Sequence, residues 1–260
     1  MSLQDPELLR QHLETLAREE GEHLDVFLVH LQHAHARVRE AAIWGLLERE
    51  AVRGCAVLVQ LAERDPDEAV RAAAVFVLGQ VVSEARLMDE AWRLSPEGLL
   101  VGQAEALLRR MLRDETTPSL LRRRALEALA TFEDPTIEST IDAWSRATDE
   151  LMRKSAAFAM GRADIDAFAR PLLKLLEDPS RLVRIEAVRS VGEQGLRTGV
   201  SRLLAVARGD DAELAKEAIL SLTEVGGKQA EGALREISRL RDKERAALAK
   251  NALAELEEEE

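Results

Sequence analysis

His30 and His33 stand three residues apart, the spacing at which one helix face could offer two imidazoles to a metal ion. No HExxH motif accompanies them, and the other histidines, His12, His23 and His35, also fall early in the chain. Surface histidines near a turn are the ordinary expectation, and no metal site is assigned. Arginine recurs behind an apolar anchor at Arg39, Arg71, Arg122, Arg153 and Arg184. Such a row could form a basic groove for phosphates or acidic peptides. The favoured reading is structural, because an arginine there can reach the turn aspartate of its own or the next segment, with Asp65 and Asp178 as acceptors of a charge-assisted ladder. Arg122, Arg123 and Arg124 are consecutive and cannot all face that ladder, so a local contact with an acidic ligand is the alternative there. The sequence holds neither a Gly-rich phosphate loop nor a nucleophile motif, so neither catalysis nor a cofactor is expected. The single cysteine, Cys55, excludes an intrachain disulfide and a thiolate cluster within one chain.

The elements that position these residues repeat. DPDEAVRAAAVFVLG at Asp65 to Gly79 and DPSRLVRIEAVRSVG at Asp178 to Gly192 share Asp-Pro, Val-Arg, a small alanine and a closing apolar residue with glycine. With the Val-Arg valine as position zero, apolar residues at zero, four and eight recur from Val38, Val70, Leu121, Met152, Val183, Leu214 and Leu248, at spacings of 32, 51, 31, 31, 31 and 34. A fainter copy at Leu100, Ala104 and Leu108 divides the long gap. Residues four apart stack on one helix face, and alanine at the middle position lets neighbouring helices approach. A second amphipathic stretch precedes each such helix, at Leu24 to Leu31, Cys55 to Ala62, Ile137 to Ala147, Ile165 to Leu176 and Leu196 to Val206. Each repeat is therefore a helical hairpin. Asp5-Pro6, Asp65-Pro66, Asp134-Pro135 and Asp178-Pro179 are expected to place an N-cap ahead of a first-turn proline. Gly79, Gly161, Gly192 and Gly226 are expected to be left-handed C-caps.

Composition agrees with an all-helical chain: aromatics are 3% and tyrosine is absent, while 46% of residues are hydrophobic and 32% charged, enough to bury a core and solvate the outside. A net charge of −12 repels phosphate backbones and anionic surfaces. Neither nucleic acid nor membrane is an expected partner. The opening residues lack a basic region leading into an apolar stretch, and no run approaches a membrane span, so a cytoplasmic location is expected.

These repeats resemble the HEAT family in its short bacterial form, in which an Asp-Pro turn leads into Val-Arg, alanine, leucine and glycine. Val70-Arg71 with Gly79 and Val183-Arg184 with Gly192 carry the resemblance, which runs from Leu24 to Leu256; the units from Leu121, Leu214 and Leu248 depart from the pattern. It implies an all-α, right-handed α-solenoid of about seven to eight stacked hairpins, with the first helix of each pair on the convex side and the second on the concave side. The expected organisation is one domain over 1–260: a capping helix at 1–21, two repeats at 22–82, irregular repeats at 83–118, regular repeats at 119–256 and an acidic tail at 257–260. Similar repeats carry a charged residue at position six of the second helix; here the occupants are Trp44, Phe76, Glu127, Phe158, Arg189 and Leu220, with Glu40, Arg123, Lys154, Ile185 and Lys216 as position-two neighbours. Exposed aromatic rings there would anchor a partner; the competing reading is that they pack between helices. The resemblance implies a protein- or peptide-binding scaffold, most simply a monomer. Two other functions are kept open: a nucleic-acid or base-repair module, for which Trp92, Trp144 and Asp142 are the candidate groups, and a lyase-like chaperone of a cofactor-bearing subunit. HEAT-like hydroxylases that bind two irons carry repeated His-Glu dipeptides, and this chain has none.

Overall fold

The computed structural model describes residues 5–19, 21, 23–47, 51–163 and 166–258. Among them are sixteen α-helices and no strand. The chain divides into two compact units, Met1–Leu129 and Ala130–Glu260.

The first unit contains α1 (Pro6–Leu16), α2 (Leu24–His30), α3 (Ala36–Trp44), α4 (Cys55–Arg64), α5 (Glu68–Ala85), the single turn α6 (Glu90–Arg93), α7 (Pro96–Arg113) and α8 (Ser119–Leu129). α3, α5 and α8 pack in succession as second helices, each backed by its first helix, α2, α4 or α7. α1 packs on α3 ahead of them, and covers that end of the stack. The second unit contains α9 (Pro135–Trp144), α10 (Glu150–Arg162), α11 (Ala169–Leu175), α12 (Arg181–Glu193), α13 (Val200–Ala207), α14 (Ala212–Val225), α15 (Gly227–Ile237) and α16 (Lys243–Glu258). Here α10, α12, α14 and α16 succeed one another as second helices. Of the acidic tail, residues 259 and 260 lie outside the described residues, as does Ile165.

The 0-4-8 stripe is the core. Val38, Ala42, Leu46, Val70, Ala74, Leu78, Val183, Ala187 and Val191 are fully buried; in α16, at the end of the stack, Leu248 is only half-buried. The 51-residue spacing from Val70 to Leu121 is occupied by long helices. α5 and α8 pack directly as neighbouring second helices, so the copy at Leu100, Ala104 and Leu108 belongs to α7, the first helix of the α8 pair.

Two local expectations are corrected. Gly79, Gly161 and Gly192 lie inside helices; of the four expected caps only Gly226, at φ +60, is in the left-handed region. A Cβ on Gly79 would lie 2.4 Å from Ala128 Cβ, one on Gly161 2.7 Å from Ser190 Cβ, and one on Gly192 2.9 Å from Ser221 Cα. These glycines are where successive second helices touch, which is why they have no side chain. Asp65 and Asp178 are not N-caps either. Asp67 and Ser180 hold that position, whereas Asp5 and Asp134 do cap α1 and α9 through the N–H groups of Glu7 and Thr136.

Replacing glycine by alanine inside a helix gains about 0.5–1 kcal/mol of conformational entropy, but overpacking costs about 1–3 kcal/mol. Gly79→Ala is therefore expected to be destabilising in urea denaturation. Gly232→Ala, in α15 with nothing within 4 Å of the new methyl, is expected to be stabilising. The same sign at both sites would refute the helix-contact assignment.

Candidate functional site

The recurrent arginines are spent on backbone and carboxylate acceptors. Arg39 donates from Nη1 to the carbonyls of His33 and Ala34, at 2.8 and 3.0 Å, closing the turn before its own helix. Its other edge, Nε and Nη2, meets both oxygens of Asp65 in the next repeat at 2.7 Å each. Arg153 repeats the arrangement, with Nη1 on Ala147 and Thr148 carbonyls at 2.9 Å and the opposite edge on Asp178 at 2.8 and 2.9 Å. Each aspartate also accepts from the N–H two residues on, Asp67 or Ser180. Arg71 and Arg184 make only the own-turn half, to the Asp65 and Pro66 carbonyls and to the Asp178 and Pro179 carbonyls. Arg122 Nε lies 3.4 Å from the Leu112 carbonyl. Burial alone would push the Asp178 carboxyl up, but the Arg153 hydrogen bonds, the Ser180 N–H and the charges of Arg153 and Arg184 outweigh it, and its pKa is lowered.

The position-six residues fall on the outer surface of the second helices. In the first unit the Trp44 indole, 38% exposed, leans on the half-buried Phe76 ring with centroids 5.3 Å apart and planes at 53°. The Arg124 guanidinium lies over the other part of that surface, 5.7 Å from the Phe76 centroid, while bonding Glu127 at 2.7 Å. Beside Trp44 is a depression of about 660 Å³, whose walls include Arg10, Glu14, Arg18, Arg37 and Glu40. Arg123, half-buried, has an Nε with no hydrogen-bond partner.

In the second unit Phe158 is half-buried under Arg162, 4.2 Å from its centroid. Lys154 pairs with Glu186 at 3.5 Å, and Arg189 forks onto Glu217 at 2.7 and 3.0 Å. Lys216 is exposed and Leu220 is 39% exposed. Ile185 is the correction in this set: it is buried, 8% exposed, and does not line the open face. Position two is a borderline register there, and an apolar side chain turns inward.

Sequence reasoning placed Arg124 in a basic run but missed that it lies over the Phe76 ring; it also missed Arg162 over Phe158, and the contribution of α1 and the turn after it through Arg10, Glu14 and Arg18. The available signal was the four-residue step from Phe158 to Arg162 and along α1. It also missed Glu224, whose carboxylate lies over Gly192. Burial, then the charges of Glu193 and Glu217, raise its pKa.

The remaining chemical candidates are arranged as follows. His30 Nδ1 lies 2.7 Å from the Val26 carbonyl, and His33 Nδ1 accepts from the His35 N–H. Among the described residues no group of three His, Cys, Asp or Glu is arranged to hold a metal. Burial pushes the Cys55 thiol up to about 11, away from the reactive thiolate. Trp144 is buried, Trp92 half-buried in α6, and Asp142 is engaged by Arg146. Among the described residues no helix is long and apolar enough to cross a membrane.

Stacked helical hairpins with small residues at the second-helix contacts and arginine forks at the turns define an all-α solenoid-type repeat protein. The family model for HEAT repeats matches residues 2–79 and 169–256, more than half of the chain, and the protein belongs to the HEAT-repeat family. Importin beta is similar in structure, with TM-score 0.54, 16% identity and coverage of 96% of this chain and 38% of that one. So is the complex of CpcE and CpcF of phycocyanin lyase from Nostoc sp. PCC7120, with TM-score 0.54, 17% identity and coverage of 92% and 97%. At these identities the likeness is one of fold. A search of the curated proteins finds no match.

Removing Arg39 strands a carboxylate that is 3% exposed, so Arg39→Ala is expected to cost about 3–5 kcal/mol. Arg71→Ala, which removes only bonds to its own turn, is expected to cost about 1 kcal/mol; urea denaturation of the two variants measures the difference. A carboxyl with a raised folded pKa costs stability while ionised, and the cost fades as pH falls through that pKa. Glu224→Gln is expected to raise the Tm at neutral pH, with the gain vanishing below the ordinary glutamate value of 4.5. A gain equal at both pH values would contradict the assigned strain.

Proposed function

We propose that the protein is a non-enzymatic scaffold that holds a protein or peptide segment on the face formed by its second helices, the concave side in HEAT-like arrays. One observation carries this reading: the Trp44 indole stays accessible, braced by Phe76 and bordered by a depression with charged walls. A braced, amphipathic ring loses little freedom on binding and suits the role of anchor. The partial exposure of Phe158 and Leu220 extends the same chemistry to the second unit.

The electrostatics favour protein over nucleic acid. The chain carries a net charge of −12, and the arginines that could have made a phosphate track are bonded to carbonyls and aspartates. The reading needs no cofactor. It is tested by parallel capture from the source lysate with wild type and Trp44→Glu, with partners identified by mass spectrometry. The charge is introduced at a partly exposed position, so helicity is expected to stay unchanged, with a modest fall in Tm from the lost contact with Phe76. Retention of a specific protein partner is expected to fall by about 30-fold, the loss of a 2 kcal/mol anchor. Undiminished retention by the variant would remove Trp44 and the face around it from the function; salt-dependent binding of duplex oligonucleotide would replace the reading altogether.

A further inference from the structure

Arg39 and Arg153 use both edges of the guanidinium: Nη1 bonds two carbonyls of their own turn, and the Nε and Nη2 edge grips an aspartate of the next turn. Arg184 stands at the same place in α12. Its Nη1 is fixed in the same way, 2.8 and 3.0 Å from the Asp178 and Pro179 carbonyls. Its Nε and Nη2 have no acceptor among the described residues. The side chain is only half-buried, and neither nitrogen is sealed from solvent. The difference lies in one residue of the following turn. Asp65 and Asp178 come two places before the N-caps Asp67 and Ser180, and the residue two places before the N-cap Asp211 is Gly209. α12 and α14 pack as neighbouring second helices, and Arg181 ties the start of α12 to Asp211 at 2.6 and 2.9 Å.

The other carboxylates around this turn are engaged elsewhere. Asp178 is held by Arg153, Asp211 and Glu213 by Arg181, Glu236 by Arg208 and Asp242 by Arg245. Asp210 is exposed and makes no ion pair among the described residues; it occupies the place that Pro66 and Pro179 hold in the bonded turns. Gly209 is exposed, its φ is outside the left-handed region, and the nearest atom to a Cβ built on it is the Val206 carbonyl oxygen at 3.2 Å. Backbone conformation does not demand glycine there. Arg71 also has a free edge, but the repeat after it is the irregular one and gives no register from which to read what that edge meets.

We propose that the outer edge of Arg184 binds a carboxylate from outside the chain, that of an aspartate held in a turn on a partner protein. The two bonded forks specify this ligand. Each takes both oxygens of one aspartate at 2.7 to 2.9 Å, and each aspartate also accepts the N–H two residues on. The carboxylate is thus oriented by its own turn before it meets the fork. On the other side, two carbonyl bonds already hold the Arg184 guanidinium, so little side-chain freedom is lost on binding, and its planar edge matches a carboxylate through two parallel charge-assisted bonds. An exposed Asp-Pro turn is the simplest segment with this chemistry. The site lies at the turns of the second unit and does not depend on the reading of Trp44.

The probe is N-acetyl-Asp-Pro-Ser-amide, the sequence of this chain's own bonded turn at 178–180, with the Asn-Pro-Ser peptide as control. Each is titrated into the isotopically labelled full chain while NMR follows the Arg184 Nε–H resonance, assigned by its loss in Arg184→Lys. The Asp peptide is expected to give a saturable downfield shift at millimolar concentration, and the Asn peptide to bind about 10-fold more weakly or less. Gly209→Asp supplies the carboxylate from within. It is expected to hold the resonance at the bonded position without peptide and to weaken peptide binding by about 10-fold or more, because a tethered competitor is always present. A wild-type resonance that does not shift overturns the proposal, as does an equal response to the two peptides or a Gly209→Asp chain that binds the Asp peptide as wild type does. A wild-type resonance already at the bonded position that moves upfield in Asp210→Asn also overturns it, since the fork is then filled by its own chain. None of these outcomes bears on capture at Trp44.

Discussion

Successive second helices meet at residues with little or no side chain. Gly79 meets Ala128, Gly161 meets Ser190, and Gly192 meets Ser221. In each case position nine of one second helix touches position seven of the next. With backbones this near, dispersion contacts are dense and a single methyl is felt. The closeness also determines what cannot be buried. Position six has no room between helices that already touch along positions seven to nine, so its side chain is pushed toward solvent whatever its type. Trp44, Phe76, Phe158, Arg189 and Leu220 all retain exposure, and an anchor-rich face follows from the packing of its own support.

The turns are held by a second, electrostatic device. Four arginines each direct Nη1 at the carbonyls five and six residues upstream. Those carbonyls belong to the turn after the first helix, where acceptors would otherwise lack partners and the helix dipole is negative. The cross-repeat half exists only where the next turn supplies an aspartate two residues before the N-cap, as Asp65 and Asp178 do. In the next turn along, Gly209 occupies that place, and Arg245 approaches from the following helix to bond the Ala207 and Gly209 carbonyls instead. One guanidinium satisfies either one hairpin or two, according to a single downstream residue.

Much of this was legible in the sequence because its cause is local. The 0-4-8 stripe reports helix geometry directly, and Val70, Ala74 and Leu78 are buried as that register requires. The glycines were misread because a helix-ending glycine and a helix-crossing glycine look alike in one dimension; only the Ala128 or Ser190 across the contact distinguishes them. Asp65-Pro66 was misread for a similar reason, since the carboxylate's use is decided by Arg39, 26 residues away. At the candidate site the aromatic positions were readable from register, but the arginines that lie over them were not, nor was the part played by α1. Those depend on which helix comes to rest beside which.

The irregular repeat shows how far a periodic core can absorb extra chain. The spacing from Val70 to Leu121 is 51 residues where its later neighbours are 31, yet α5 and α8 still pack as adjacent second helices. The surplus cannot enter the core, because both neighbouring surfaces of each hairpin are already occupied. It lengthens α5 to Ala85 and α7 to eighteen residues, and inserts α6 between them. Apolar residues in that surplus have no interior to reach: Leu87, Met88 and Leu94 stand in solvent even though the chain has charged residues in abundance for such positions.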